Sequence, residues 1–464
     1  MNSCIFIILG ATGDLTKRKL IPAIYNLIKN KKIDNFAIVG AALSQTTSEE
    51  ILAQAEKFIK NIDKDCWNKL KSVFYYKSVN FYNEQEFSHL KELIEKVENK
   101  HKLPQNRLFY LATMPEHFEI ITQNLSKCCI IKPKKNDSCK GWTRVVYEKP
   151  FGYDLESAKK INKTILKTFK KDQVFRIDHY LGKELVGNIS LVRFTNRVFE
   201  PLWNNKNIDS IQIIINEKLG IENRGKFYDS CGAINDMMQS HMLQVLSLIA
   251  METPKQLSGK FIHNAKIKVL KKIKPYSTIL GQYLGYRSED GVNPDSATET
   301  FAAIALHINN KRWKNVPFYL KTGKFLSNKE SAIHIRFKMV KCLLSKCCPS
   351  DSNYLTIKIQ PDAGFFLELN SKVPGTNEVI PVKMDFCHEC LFGPNSFQAY
   401  EILLSDVMSG DQSFFLQEDE IEESWRIVQE IKKLSEKLYF YEKESSGPKE
   451  IEKLEPNKIV RWRS

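Results

Sequence analysis

Up to about residue 177, short apolar runs take turns with helical patterns along the chain. "CIFIILG" is followed by a helix to about Asn30, then "FAIVGAAL", a helix around 48 to 61, "RLFYLAT", a helix after Pro115, and "TRVVYEKP". Strand and helix in alternation imply a parallel sheet covered on both faces. Beyond about residue 205 the strands dominate: "IDSIQIIINE", "TFAAIALHI", "VPFYLKTG", "SAIHIRFK", "YLTIKIQ" and "GFFLEL". A large antiparallel sheet is the natural reading, with long helical patterns around 227 to 252 and 418 to 437 packed upon it. No internal repeat or low-complexity linker intervenes, so the change of pattern alone sets the boundary. The expectation is an α/β domain over residues 1–177 and a β+α domain over 178–464.

Length agrees, because 464 residues exceed one ordinary hydrophobic core. With 42% hydrophobic and 27% charged residues the chain reads as globular. No apolar run approaches the ~20 residues of a membrane span. The opening "CIFIILG" lacks a basic flank and a cleavage site, so it reads as a buried strand and a cytoplasmic protein is expected. Eleven scattered cysteines suit reduced thiols. "CHEC" (Cys387, His388, Cys390) has metal-ligand spacing, but "CLLSKCC" (Cys342, Cys347, Cys348) forms no matching knuckle, so no metal is expected and both clusters read as surface or core thiols. The net charge of +15 is spread along the chain and often paired, as in "KELIEKVENK". That pattern disfavours nucleic acid as a partner and favours small anionic ligands.

Two stretches carry candidate chemistry. "GATGDLTKRKL" puts Gly10 and Gly13 after the first strand and before a helix, where backbone N–H groups and a helix N-terminus can receive a pyrophosphate. It is not a full GxGxxG, since Thr12 takes the second glycine's place, and a plain βα turn gives the same pattern. Pro22 marks where the main helix starts or kinks. "RIDHYLGKE" crowds Asp178, His179, Tyr180 and Lys183 together, either as the solvated start of an amphipathic helix or as a site.

These stretches fall into one order with "EKPFG" (148–152), "INDMMQSHMLQ" (234–244) and "VPFYLKTGK" (316–324). In that order they resemble the glucose-6-phosphate dehydrogenase family, and the likeness runs from near the N-terminus to about residue 430. The resemblance implies an N-terminal Rossmann-like coenzyme domain and a C-terminal domain whose large, mainly antiparallel sheet forms a dimer interface. A homodimer or a dimer of dimers is then expected. The implied activity is oxidation of β-D-glucose 6-phosphate at C1 to the 6-phosphoglucono-δ-lactone, with hydride passed to NADP+, in the oxidative pentose phosphate pathway.

Residue by residue, the resemblance makes His241 the base and Asp178 its partner. Imidazole has a pKa suited to taking the C1 hydroxyl proton, and a carboxylate fixes its tautomer and stabilises the imidazolium. His179, Tyr180 and Lys183 offer donors and charge to the substrate phosphate. Lys149 touches the sugar and nicotinamide regions, and Pro150 is expected to bring a cis peptide. Glu217 and Asp236 accept from sugar hydroxyls, and Lys324 and Gln360 complete the substrate side. Asp236 and His241 are five positions apart, so an ideal α-helix separates them by about 140° and spacing alone does not put them in one pocket. The coenzyme falls to Gly10, Thr12, Gly13, Asp14, Leu15, Lys19, Ser44 and Lys149.

Departures from the family matter too. Leu43 stands where an arginine for the 2′-phosphate is usual, and no acid at that strand end holds an NAD ribose, the nearest being Glu49. Ser44, Thr46 and Lys19 are left to cradle a phosphate, which predicts NADP with weakened discrimination against NAD. Ser240 replaces an asparagine, Met114 replaces a proline, and Lys321 and Lys358 replace arginines of a second NADP site, which is not expected here. The alternative reading is a catalytically silent dinucleotide-binding sensor.

Overall fold

The computed structural model describes residues 3–131, 141–341, 351–392, 399–434, 437–456 and 458–463. The chain divides into two units, Met1–Gly182 with Ser258–Lys260 and Phe397–Glu418, and Lys183–Leu257 with Phe261–Ser396 and Asp419–Ser464. The change of unit therefore falls after Gly182, where the pattern placed it at 177/178, and a late segment returns to the first unit. Nothing in that segment's composition announced the return.

The first unit is built on a parallel sheet of six strands: β1 (Cys4–Leu9), β2 (Phe36–Ala42), β3 (Phe74–Ser78), β4 (Arg107–Leu111), β5 (Thr143–Tyr147) and β6 (Val174–Arg176). Their order, β3-β2-β1-β4-β5-β6, is the doubly wound one, with its switch between β1 and β4. β1, β2 and β4 are buried along their whole length, which is why they read as unbroken apolar runs. The pattern missed β3, a half-exposed edge, and β6, only three residues long. It also missed the helix Glu84–Lys100, whose charges hide a buried stripe of Phe87, Leu90, Ile94 and Val97. Glu98 of that stripe makes a bidentate pair with Arg107 at 2.7 and 2.8 Å, both side chains buried. The returning helix Ala399–Ser409 is tied down by Asn26 Nδ2 donating to Glu401 (2.7 Å) and by Arg144 donating to the carbonyls of Val407 and Met408.

The second unit holds nine strands: β7 (Ile208–Asn216), β8 (Ile273–Tyr283), β9 (Phe301–Ile308), β10 (Phe318–Gly323), β11 (Glu330–Phe337), β12 (Tyr354–Gln360), β13 (Gly364–Lys372), β14 (Val379–Cys387) and β15 (Leu438–Tyr441). Their order is β14-β13-β12-β11-β7-β10-β9-β8-β15. The sheet is antiparallel except for the β7/β10 and β8/β15 pairs. The expected helical stretch of 227 to 252 is three segments, Gly225–Ala233, Ile234–Met242 and Leu243–Ala250, of which the second packs against β10, and Glu418–Leu434 reaches the third through a Gln244–Ser424 hydrogen bond. Glu420 is fully buried there, with His263 and Lys266 each at 3.2 Å.

The chain's tail closes over β7. Gln212 donates to the carbonyl of Arg461 (2.8 Å) and accepts from the N–H of Arg463 (3.0 Å). Trp462 meets Tyr319 edge-on and lies under the Lys321 ammonium.

Candidate active site

At the end of β1 the chain turns sharply. Gly10 has φ +98°, and a Cβ there would lie 2.2 Å from the carbonyl oxygen of Ala112, just past β4. Only glycine fits so close an approach with that backbone. The Gly10 carbonyl in turn accepts from the Gly13 N–H (3.0 Å) and the Thr16 hydroxyl (3.1 Å). A helix then starts at Asp14 and runs as a π-helical segment, Thr16–Leu20, into the α-helix Ile21–Lys29. Pro22 marks the start of the α-helix, as expected, although the chain already runs helically from Asp14. Its missing N–H falls in the first turn of the α-helix, just after the wider turn has ended.

The resulting cradle suits the diphosphate of a dinucleotide: bare backbone at a helix start, at the switch point of a doubly wound sheet. Thr12 and Ser44 bring their hydroxyls to 3.3 Å of each other, bridging the ends of β1 and β2. Asp14 pairs with Arg18 at 3.6 Å, and Lys19 is exposed. Thr46, expected to help hold a phosphate, donates instead to Glu50 beside a helix cap in which Thr47 and Glu50 satisfy each other's backbone N–H. Leu43 is 68% exposed at the end of β2.

Further along the same sheet, Lys149 follows β5 and precedes Pro150 through a cis peptide, as expected. Asp178 is buried in the turn after β6, where its carboxylate accepts the Tyr180 N–H at 2.8 Å and its carbonyl accepts those of Leu181 and Gly182. The aspartate thus builds the turn that carries His179 and Tyr180, whose rings lie 5.2 Å apart. The crowding in "RIDHYLGKE" is first of all a tight turn, and the helix Glu184–Thr195 begins only after it.

In the second unit, Lys183 stands at the start of that helix and donates to the side chain of Gln360, at the end of β12, over 2.9 Å. Two residues assigned separately thus form one contact. Glu217 and Lys324 form another, at 2.5 Å. They meet because β7 and β10 run parallel with Asn216 opposite Gly323, so the next residue of each strand emerges side by side. Both sit near Tyr228, whose ring lies 5.3 Å from the Lys324 ammonium. Burial pushes the Tyr228 hydroxyl well above its ordinary value, with the carboxylates of Asp236, Glu299 and Glu217 adding to it.

The segment Ile234–Met242 is a π-helix, not the ideal α-helix assumed from spacing. Its hydrogen bonds join residues five apart and its turn is wider than that of an α-helix, so the separation of Asp236 and His241 narrows well below about 140° and the two come round toward the same side. The segment begins at a break where Gly232 has φ +68° and a Cβ would lie 2.4 Å from Glu299 Oε1. Glu299 accepts the Ile234 N–H at 2.9 Å, and burial pushes its carboxyl up. His241 is fully buried and Asp236 nearly so.

Local structure thus explains where Lys183, Glu217, Asp236, His241, Lys324 and Gln360 stand, and the comparisons speak to the family. Residues 7–188 match the model "Glucose-6-phosphate dehydrogenase, NAD binding domain" and residues 190–463 the corresponding C-terminal domain. The chain belongs to the glucose-6-phosphate dehydrogenase family. A glucose-6-phosphate 1-dehydrogenase of Chlamydia pneumoniae is 39% identical over 99% of this chain and 96% of its own. One of Arabidopsis thaliana, named cytoplasmic, is 38% identical over 97% and 90%. A solved glucose-6-phosphate dehydrogenase in complex with glucose-6-phosphate superposes with a TM-score of 0.92 and 32% identity, covering 100% of this chain and 99% of that one. The silent-sensor alternative finds no support in these matches.

Within the family frame, some readings change. Cys387 and Cys390 form a disulfide, so "CHEC" is not a pair of reduced thiols; the short helix His388–Phe392 that follows β14 brings their Cα atoms to 5.3 Å. His388 between them faces Glu184 at 3.4 Å. Cys342, Cys347 and Cys348 lie outside the described residues. Lys321 is engaged by Trp462 and by nearby Glu330, burial pushing it down to about 8, and Lys358 reaches Asp362 at 3.4 Å. Ser240 donates to the carbonyl of Asn235, five residues back, which the π turn allows, and Met114 is exposed. Sequence reasoning missed Tyr228 and Glu299, and it passed over Glu148 within "EKPFG".

The Gly10 cradle generates a direct test. Gly10→Ala strains the turn and drives a methyl into the Ala112 carbonyl. Dinucleotide affinity, measured by calorimetry on folded protein, is expected to fall roughly five- to 150-fold, as about 1–3 kcal/mol of strain converts. Gly13→Ala, whose Cβ would stand 3.2 Å from the Gly10 carbonyl oxygen, is expected to cost much less.

Proposed function

We propose that the protein oxidises β-D-glucose 6-phosphate at C1 to the 6-phosphoglucono-δ-lactone, with NADP+ as the preferred acceptor. The observation that carries the reading is the π-helical segment that turns Asp236 and His241 toward the same side, in a chain matched to this family over residues 7–188 and 190–463. His241 takes the C1 hydroxyl proton as the hydride leaves C1. Asp178, its carboxylate steadied by the Tyr180 N–H, orients the imidazole and stabilises its charged form. Lys183, His179 and Tyr180 hold the phosphate dianion, with Gln360 fixing the Lys183 side chain. Glu217 and Asp236 receive sugar hydroxyls, Glu217 being steadied by Lys324. Lys149 bridges the sugar and nicotinamide regions. The bound dinucleotide supplies the hydride acceptor, on the loop of Gly10, Thr12, Gly13, Asp14 and Leu15 with Ser44 and Lys19 beside it.

The cofactor preference rests on Leu43, which offers no charge to a 2′-phosphate but no repulsion either. Preference for NADP+ is therefore modest. A cytoplasmic place and a pentose-phosphate role belong to the same reading; among the described residues no helix is long and apolar enough to cross a membrane. Self-association through the nine-stranded sheet, as a dimer or a dimer of dimers, is also part of it. Ile380, Val382 and Met384 alternate along β14 onto one face and are each at least 40% exposed. Leu369 pairs with Val382 from β13 and adds to that stripe. An exposed apolar row of this kind on an edge strand suits a second copy of the chain.

The central test is nicotinamide reduction by purified protein with glucose 6-phosphate. His241→Asn is expected to keep the fold and substrate binding while kcat drops by roughly 10²–10⁴. A folded variant with unchanged kcat removes His241 from the mechanism. For the cofactor, Leu43→Arg is expected to raise kcat/KM for NADP+ by roughly ten- to hundredfold, as a charge-assisted bond of about 1.5–3 kcal/mol converts, with NAD+ almost unaffected. If the parent already rejects NAD+ and the arginine adds nothing, another cation holds the phosphate. Val382→Glu is expected to lower the mass found by light scattering by one association step; an unchanged mass places the interface elsewhere.

A further inference from the structure

Glu148 takes no part in the chemistry proposed above, yet it is held from three sides. It follows β5, and its Oε1 accepts the Tyr110 hydroxyl from β4 at 2.5 Å and the Tyr400 hydroxyl at 3.2 Å. The backbone N–H of Lys149 donates to the same carboxylate. Burial pushes the Glu148 carboxyl up, and these three donors, with the Lys149 charge, draw it back. Tyr400 is delivered by the returning helix Ala399–Ser409, which Asn26 and Arg144 anchor. Its hydroxyl is also close enough to Asp178 for that carboxylate to help push it up, after burial and Glu148 itself.

A carboxylate in such a place is unfavourable on its own, and an apolar side chain would fill the gap without that penalty. What the carboxylate adds is direction. Its acceptor oxygens define where the Lys149 backbone and the two hydroxyls must lie, immediately beside two residues of the proposed site.

We propose that Glu148, bridged by Tyr110 and Tyr400, is a positioning residue for the dehydrogenase reaction: it fixes the main chain of Lys149 and, through Tyr400, the surroundings of the Asp178 carboxylate. The inference rests on the functional reading above for the roles of Lys149 and Asp178. The Glu148 side chain itself bonds to Tyr110, Tyr400 and the Lys149 backbone, and not to the phosphate-holding residues or the glycine loop.

The test uses Glu148→Gln and Tyr400→Phe in the full chain, assayed with glucose 6-phosphate and NADP+ across pH. Glutamine keeps the shape but loses the charge, and is expected to lower kcat roughly tenfold; removal of the Tyr400 hydroxyl alone is expected to lower it roughly threefold. KM for glucose 6-phosphate stays within about twofold, because its phosphate is held elsewhere. The acid limb of the kcat/KM profile moves to lower pH in Glu148→Gln, since a less well-placed Asp178 stabilises the imidazolium less and the base pKa falls. An unchanged kcat and pH profile in both folded variants overturns the inference. So does a change confined to the thermal midpoint, which marks a purely structural role. An inactive parent protein overturns the functional reading and this inference with it; an active parent with unaffected variants overturns this inference alone.

Discussion

A helix wound wide enough to bring every fifth residue most of the way back round is the constraint on which the chemistry proposed for the second unit depends. Without it, Asp236 and His241 point apart, and neither more burial nor more charge would repair the angle. The wide turn has visible causes. Gly232 breaks the preceding helix in a conformation open to glycine, and Glu299 fills the space its missing side chain leaves and takes the first N–H of the new segment. A buried carboxylate, otherwise costly, is thereby placed where a helix start offers a partial positive charge and an unpaired donor. The same device appears in the first unit, where a π-helical segment follows the glycine turn at β1 and ends just before Pro22. In both units an unusual turn is local to a proposed ligand-facing element, which is where such turns concentrate.

Strand ends do the remaining placement. Parallel neighbours deliver their C-terminal residues side by side, so Glu217 and Lys324 meet across the parallel pair β7 and β10 of the nine-stranded sheet. An antiparallel pairing there would have sent one of them to the opposite edge. In the six-stranded sheet, the ends of β1 and β4 approach until only a glycine fits between Gly10 and Ala112, and the ends of β4 and β5 meet at Tyr110 and Glu148. Site residues that are far apart in sequence therefore need no long-range coincidence beyond correct strand order.

Much of this was legible beforehand, for reasons that differ by element. Fully buried strands such as β1 and β4 announce themselves as apolar runs, and the alternation of β11 survives because one of its faces is more polar. The edge strand β3 and the three-residue β6 carry too little apolar content to stand out, and the helix Glu84–Lys100 hides its stripe under charge. The site residues came from ordered motifs, not from periodicity; periodicity argued against Asp236 and His241 sharing a face, because it assumed the α-helical angle. Tyr228, Glu299 and Tyr400 were invisible. The two tyrosines are ordinary core-type residues until folding puts a carboxylate or an ammonium beside them, Glu299 reads as a solvated acid until the Ile234 N–H meets it, and Tyr400 lies in a segment whose return to the first unit no local pattern records. The Cys387–Cys390 bridge was misread because spacing reports that two thiols can meet, not which chemistry they adopt.

The end of β2 separates two things usually found together in a phosphate site, its shape and its charge. The backbone there is firmly held: the Ser78 hydroxyl donates to the Leu43 carbonyl at 3.0 Å, and the Tyr76 hydroxyl lies 2.6 Å from the Ser44 carbonyl. Thr12 bridges to Ser44 from the neighbouring loop. Strand path and hydroxyl placement are thus fixed by side chains other than Leu43, whose own side chain is largely in solvent. A residue held by its carbonyl and exposed at its tip can change charge without moving the chain. On the proposed reading, discrimination between the two dinucleotides at this position is therefore a property of one side chain on a held frame, and it can shift without disturbing the cradle proposed for their shared diphosphate.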